Sequence, residues 1–170
     1  VARYRQGKWE AVGGGLTGGP IGSVSKIAIN EHGTISCLGT FDSANGKPLV
    51  NPYSAFFDPD SSAWRSITGM DSAIILGVQP VGSHFAIIGH ASGRSSVYEG
   101  NAEGFKAISG AGDKPSDLWG DVQGNLAYSS YSLKKILLRQ ETEFVPIDPP
   151  IGTIKCATFD SKGAFVVGIE

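Results

Sequence analysis

Charged side chains are scarce in this chain. Asp, Glu, Lys and Arg make up 18% of 170 residues, where an average globular domain has roughly a quarter. Neither sign dominates: 14 basic and 16 acidic residues leave a formal charge of −2 at pH 7. A nucleic-acid binder draws much of its affinity from neutralising phosphates, so this balance excludes a nucleic-acid partner. Cysteine is almost missing. Cys37 and Cys156 lie in apolar alternating segments and read as two buried free thiols, with their redox state left open because a disulfide depends on Cα spacing. No CxxC or Cys/His ligand spacing occurs, which argues against structural zinc. No apolar run approaches the roughly 18 residues of a membrane span. The stretch from Val1 shows no charged-then-apolar leader pattern, so the compartment stays open.

What is abundant is glycine, 24 residues, beside an apolar content of 41%. That is enough to bury a core, and the length predicts one domain over residues 1–170. Apolar alternation marks short strands, and Gly, Asp, Asn, Ser and Pro punctuate them. Ile27–Asn30, a turn at Glu31-His32-Gly33, Thr34–Gly39, a polar loop over Asp42–Asn51, Tyr53–Phe57, a turn at Asp58–Ser62 and Trp64–Ile67 make one unit of four strands. The pattern then returns. First-turn glycines at Gly33, Gly82, Gly124 and Gly163 recur at intervals of 49, 42 and 39 residues, and fourth-strand aromatics at Trp9, Trp64, Phe105 and Phe144 at 55, 41 and 39, a period settling near forty. Seven residues ahead of the last three aromatics stand Phe57, Tyr98 and Leu137.

Four strands per forty residues is the period of a β-propeller blade, in which each sheet packs on its neighbours around an axis. The fold class predicted is therefore all-β, a propeller of four-stranded antiparallel blades. The aromatic column is expected to wedge between blades. Residues 1–12 read as third and fourth strands and residues 154–168 as first and second. Their pairing would close a four-bladed ring and hide its edges. A segment of a larger propeller, or several copies sharing one ring, is the rival arrangement. Ser132–Glu141 has helix-forming composition, but its place in the repeat predicts a strand.

The run Phe56-Phe57-Asp58-Pro59-Asp60-Ser61-Ser62-Ala63-Trp64-Arg65-Ser66-Ile67 resembles the third-strand, turn and fourth-strand segment of kelch-type repeats. Trp9–Leu16, with Ile27–Ile29 and Leu38–Phe41, is similar to propellers of the galactose-oxidase-like kind. Where kelch repeats carry two adjacent glycines, this chain has Gly39-Thr40, Gly89-His90, Ser129-Ser130 and Gly168-Ile169. The resemblance implies a propeller used for binding.

In a propeller the second-to-third and fourth-to-first connections share one face, the usual binding face. His32 and His84 belong to the other face and His90 to this one, so no imidazole cluster for a copper oxidase is expected. Glycoside hydrolysis needs two carboxyl groups about 5–10 Å apart. Asp42, Asp71, Asp113 and Asp148 stand on the binding face, each in a turn where capping its own backbone explains it. Asp42–Gly46 lacks the alternating acids of a calcium loop, and no Lys-Ser/Thr follows Gly13–Pro20 to make a phosphate loop. The residues expected at a recognition surface are Asp42, Lys47, His90, Arg94 and Asp113, in loops bordering one mouth of the ring. The functional expectation is a non-enzymatic module, without cofactor or metal, that binds protein or glycan in a surface, secreted or virion-type assembly. The alternative is a carbohydrate-active hydrolase using loop aspartates.

Overall fold

The structure, a computed structural model, describes residues 1–19, 22–68, 74–91, 93–109 and 113–170, with only the backbone of Ala91. It is all-β. No helix occurs among the described residues, hence none long and apolar enough to cross a membrane.

A hairpin of β1 (Ala2–Arg5) and β2 (Lys8–Ala11) is followed by the short β3 (Leu16–Thr17). The first four-stranded sheet takes β4 (Val24–Ile29) and β5 (Ile35–Gly39), and after an excursion through β6 (Ser43–Ala44) and β7 (Lys47–Pro48) it adds β8 (Ser54–Asp58) and β9 (Ala63–Arg65). The second sheet holds β10 (Ile74–Val81), β11 (His84–Ala91), β12 (Arg94–Asn101) and β13 (Gly104–Ala107). The third holds β14 (Pro115–Gly120), β15 (Leu126–Ser130), β16 (Lys135–Gln140) and β17 (Glu143–Ile147), and a last pair is β18 (Ile154–Phe159) with β19 (Phe165–Ile169). Each four-stranded sheet is an antiparallel meander.

The repeat is visible in backbone detail. Each first strand carries a register shift near its start, at Val24/Lys26, Ile75/Gly77, Pro115/Leu118 and Ile154/Cys156. Such bulges bend and twist a strand, and these four strands pack in succession, β4 on β10, β10 on β14 and β14 on β18. Three first hairpins share one cap. Asn30 Oδ1 accepts from the amides of His32 and Thr34, Asp121 Oδ1 from Gln123 and Asn125, and Asp160 Oδ1 from Lys162 and Ala164. Neighbouring hairpins latch together, the Glu31 amide donating to Gly82 O and the Gly82 amide to Asp121 O.

The core lies between sheets, and the period of two in a strand builds it. Phe85 and Ile87 of β11 pack with Ala28, Leu38 and Phe56 of the first sheet, while Ala86 and Ile88 pack with Leu118, Leu126 and Tyr128 of the third. A strand buried on both faces must be apolar throughout, which explains the unbroken run Phe85–Ile88. Phe105 and Phe144 are half-buried against these clusters, as expected, whereas Trp64 packs on a separate cluster of Cys37, Phe41 and Ala55 and donates from Nε1 to Val12 O. Cys37 is fully buried, and burial pushes its thiol up to about 12, so it stays protonated at neutral pH.

Four sequence expectations need correction. Trp9 is 73% exposed, because among the described residues its ring partner is Tyr4 on the same hairpin, 5.4 Å away, and no sheet covers them. β1–β2 and β18–β19 form two separate two-stranded sheets instead of one four-stranded sheet. Cys156 is exposed, since β18 belongs to one of those narrow pairs, and both cysteines are free. Asp42–Asn51 is no open loop: β6 and β7 pair around Asn45-Gly46 at φ 47° and 71°, and β6 also pairs with β3. Both turn residues at positive φ make the tight hairpin that Asn-Gly favours. Within Ser132–Glu141, Lys135–Gln140 forms the strand β16, and the residues before it make a turn.

One ion pair joins the second and third sheets. Arg139 Nη1 donates to Glu99 Oε2 at 2.7 Å, with the two side chains 19% and 21% exposed, and Nη2 donates to Gly124 O. Removing one member leaves a poorly solvated charge behind. Arg139→Met is expected to lower stability by about 1–3 kcal/mol, read as a shift in urea midpoint at unchanged slope. Adding Glu99→Gln should recover part of that loss. A neutral Arg139→Met would mean the pair adds nothing to the joint.

Candidate inter-sheet binding cleft

Where the first and second sheets diverge, at the end bearing the second-to-third strand connection, a cleft of about 390 Å³ opens. One wall comes from Ser25, Lys26, Leu38, Gly39 and Thr40 at the ends of β4 and β5, and from Asn51 to Ser54 leading into β8. The other is Ile74, Ile75 and Leu76 at the start of β10. β4 carries its bulge beside this gap and packs on β10. Polar ties hold the first wall: Ser25 Oγ donates to Leu38 O at 3.2 Å, and the Thr40 amide to Ser23 O at 2.8 Å. Lys26 Nζ crosses to the other wall and donates to Leu76 O at 3.1 Å.

Tyr53 has the left-handed φ of 76°, uncommon for a residue with a Cβ. Two backbone hydrogen bonds keep it there, Gly39 N donating to Tyr53 O at 3.0 Å and Tyr53 N to Phe41 O at 2.8 Å. Its side chain stays half exposed. Ser54 is 1% exposed, and its hydroxyl has no hydrogen-bond partner among the described residues. Asn51 is buried beside it, whereas Ile74 and Leu76 are more than half exposed. Lys26 is the charged group among the described lining residues, which include no carboxylate, imidazole or thiol. The cleft offers hydrogen bonds, apolar contact and one positive charge. It offers no acid–base pair.

The five residues expected at a recognition surface fall in three places. Asp42 precedes β6 and braces the glycine run, and Lys47 opens β7 and is exposed. Asp42 Oδ2 accepts from Gly19 N at 3.0 Å and Oδ1 from Ser43 Oγ at 2.5 Å. Those two donors, the Ser43 hydroxyl first, hold its carboxyl below the ordinary carboxylate value. His90 and Arg94 share the β11–β12 hairpin, with His90 Nδ1 3.0 Å from Ser95 Oγ and Arg94 exposed. Asp113 precedes β14 and accepts the Tyr128 hydroxyl at 2.6 Å. Asp148 pairs with Lys135, and Asp71 lies outside the described residues. No group of three or more His, Cys, Asp and Glu side chains able to hold a metal occurs among the described residues.

The cleft residues were not singled out by the sequence. A usable signal was present in Lys26, a lone charge inside an apolar strand, and in Asn51-Pro52-Tyr53 entering the third strand. Fold and site together define an all-β protein of successive four-stranded antiparallel sheets with a mixed polar and apolar cleft between two of them. No protein-family model matches the chain, and no curated protein matches it.

Proposed function

We propose that the chain is a β-propeller-type binding module without catalytic activity, and that it holds a protein or glycan partner at the sheet ends where the cleft opens. In this reading β4, β10, β14 and β18 line a central axis. The resemblance of Phe56–Ile67 to kelch-type repeats and the burial of successive sheets on one another support it. The observation that carries it is the cleft itself: hydroxyl, amide, aromatic and aliphatic groups converge there on a rigid scaffold, without a titratable pair among the described lining residues.

The hydrolase alternative needs one carboxyl raised enough to serve as a general acid. Asp42 is shifted the other way, and both of its oxygens accept internal hydrogen bonds. Native electrophoresis of the full chain through gels holding individual polysaccharides, paired with a reducing-end assay, tests the choice. Retardation in at least one gel without release of reducing ends is expected. Release that disappears in Asp42→Asn or Asp113→Asn would replace the binding module with a hydrolase.

A further inference from the structure

We infer that the cleft between the first two four-stranded sheets is a site for an acidic saccharide, a uronate-bearing unit whose carboxylate meets Lys26. The inference rests on the binding-module reading and specifies its ligand. Size comes first: about 390 Å³ lies within the range of small-ligand sites and suits one or two sugar rings.

The chemistry of the walls then selects. Ser54 Oγ is a buried hydroxyl that lacks a partner among the described residues, and such a group is costly unless a ligand or water completes it. Thr40, whose hydroxyl oxygen already meets Ser23 N and Ser23 Oγ, and Asn51 are further polar residues of the same wall. A hydroxylated ligand supplies a partner for Ser54 Oγ, whereas a purely apolar one leaves it dry. Tyr53, pinned at positive φ with its ring half exposed, and the exposed Ile74 and Leu76 opposite supply surfaces for the C–H faces of a sugar.

Charge decides between neutral and acidic sugars. The Lys26 ammonium has three donors, and its hydrogen bond among the described residues goes to Leu76 O. Asp117 faces a neighbouring hollow that Lys26 also lines, but the described structure gives the two no ion pair, and its carboxylate accepts from the hydroxyls of Ser116 and Ser129. A carboxylate on the ligand supplies a counter-charge that no described residue gives Lys26, and with a protein of net charge −2 that attraction is local to the cleft.

The test is an NMR titration of the ¹⁵N-labelled full chain with digalacturonate and, separately, with its dimethyl ester, which keeps the rings and loses the charge. Saturable shifts at the amides of Tyr53, Ser54 and Leu76 are expected with the acid. The ester should bind about tenfold more weakly. Lys26→Met should bring the acid down to the level of the ester, Lys26→Arg should keep the preference, and Ser54→Ala should weaken both ligands alike. Equal binding of acid and ester, shifts confined to residues outside the cleft, or no saturable shift with the acid up to about 10 mM would each overturn the inference. Retention on a neutral polysaccharide with the cleft amides unmoved would overturn it while leaving the binding-module reading standing. Turnover of a glycan would remove that reading itself.

Discussion

Replacing Phe56 by alanine is expected to cost about 3–5 kcal/mol of stability, a large share of the roughly 5–15 kcal/mol that holds a domain together. Phe56 is fully buried in β8, and its ring stacks on Phe85 of β11 at 5.1 Å and on Phe105 of β13 at 5.8 Å. The side chain therefore ties the first sheet to the second as well as filling the first. Truncation loses the transfer free energy of the ring, two aromatic contacts and the packing around the hole left behind. Phe56→Leu keeps most of the volume and should cost less than half as much. Urea unfolding followed by far-UV circular dichroism measures both. A loss below about 1 kcal/mol for Phe56→Ala would mean that the two sheets do not share this core.

Gly39→Ala is expected to be nearly as damaging, by a different route. Gly39 ends β5 opposite Val24, where the bulge in β4 brings the two backbones together. A Cβ there would overlap Ser23 O outright and stand 2.9 Å from Val24 Cα. Both obstacles are backbone atoms, so no side-chain rotation relieves them. β4 must move away from β5, at a cost of about 3 kcal/mol, the upper end for overpacking. Gly33→Ala is the informative comparison: nothing lies near its Cβ, and its cost comes only from φ at 76°. The Gly39 variant should also lose cleft ligands, because the displaced strands form one wall, while the Gly33 variant should keep them. A Gly39→Ala protein as stable as the parent would refute the close approach of β4 and β5.

The repeat was legible because its determinants are local. Gly33, Gly82, Gly124 and Gly163 all adopt positive φ at first hairpins, the conformation glycine tolerates best. Lys135–Gln140 is a strand despite its helix-forming composition, since β15 and β17 pair on both sides of it and pairing outweighs a weak intrinsic preference. The misreading of Asp42–Asn51 was avoidable. Its polar composition suggested a loop, but Asn45-Gly46 between Ala44 and Lys47 was a hairpin signal in the letters themselves. Trp9 was different in kind. Its column in the repeat was right for a fourth strand, but whether a ring is covered depends on a neighbouring sheet, which no local pattern encodes.

The sequence by itself determined where strands begin and turn, because period-two alternation and the φ preferences of Gly, Asn and Asp act over a few residues. Only the tertiary structure decided what those strands do to one another. It assigned Phe85 and Ile87 to one neighbouring sheet and Ala86 and Ile88 to another, left Trp9 in water, and drew residues 25–26, 38–40, 51–54 and 74–76 into one cleft. The reason is distance along the chain. Segments some fifty residues apart meet through the angle and spacing at which two sheets pack, and that geometry comes from the whole set of buried side chains between them.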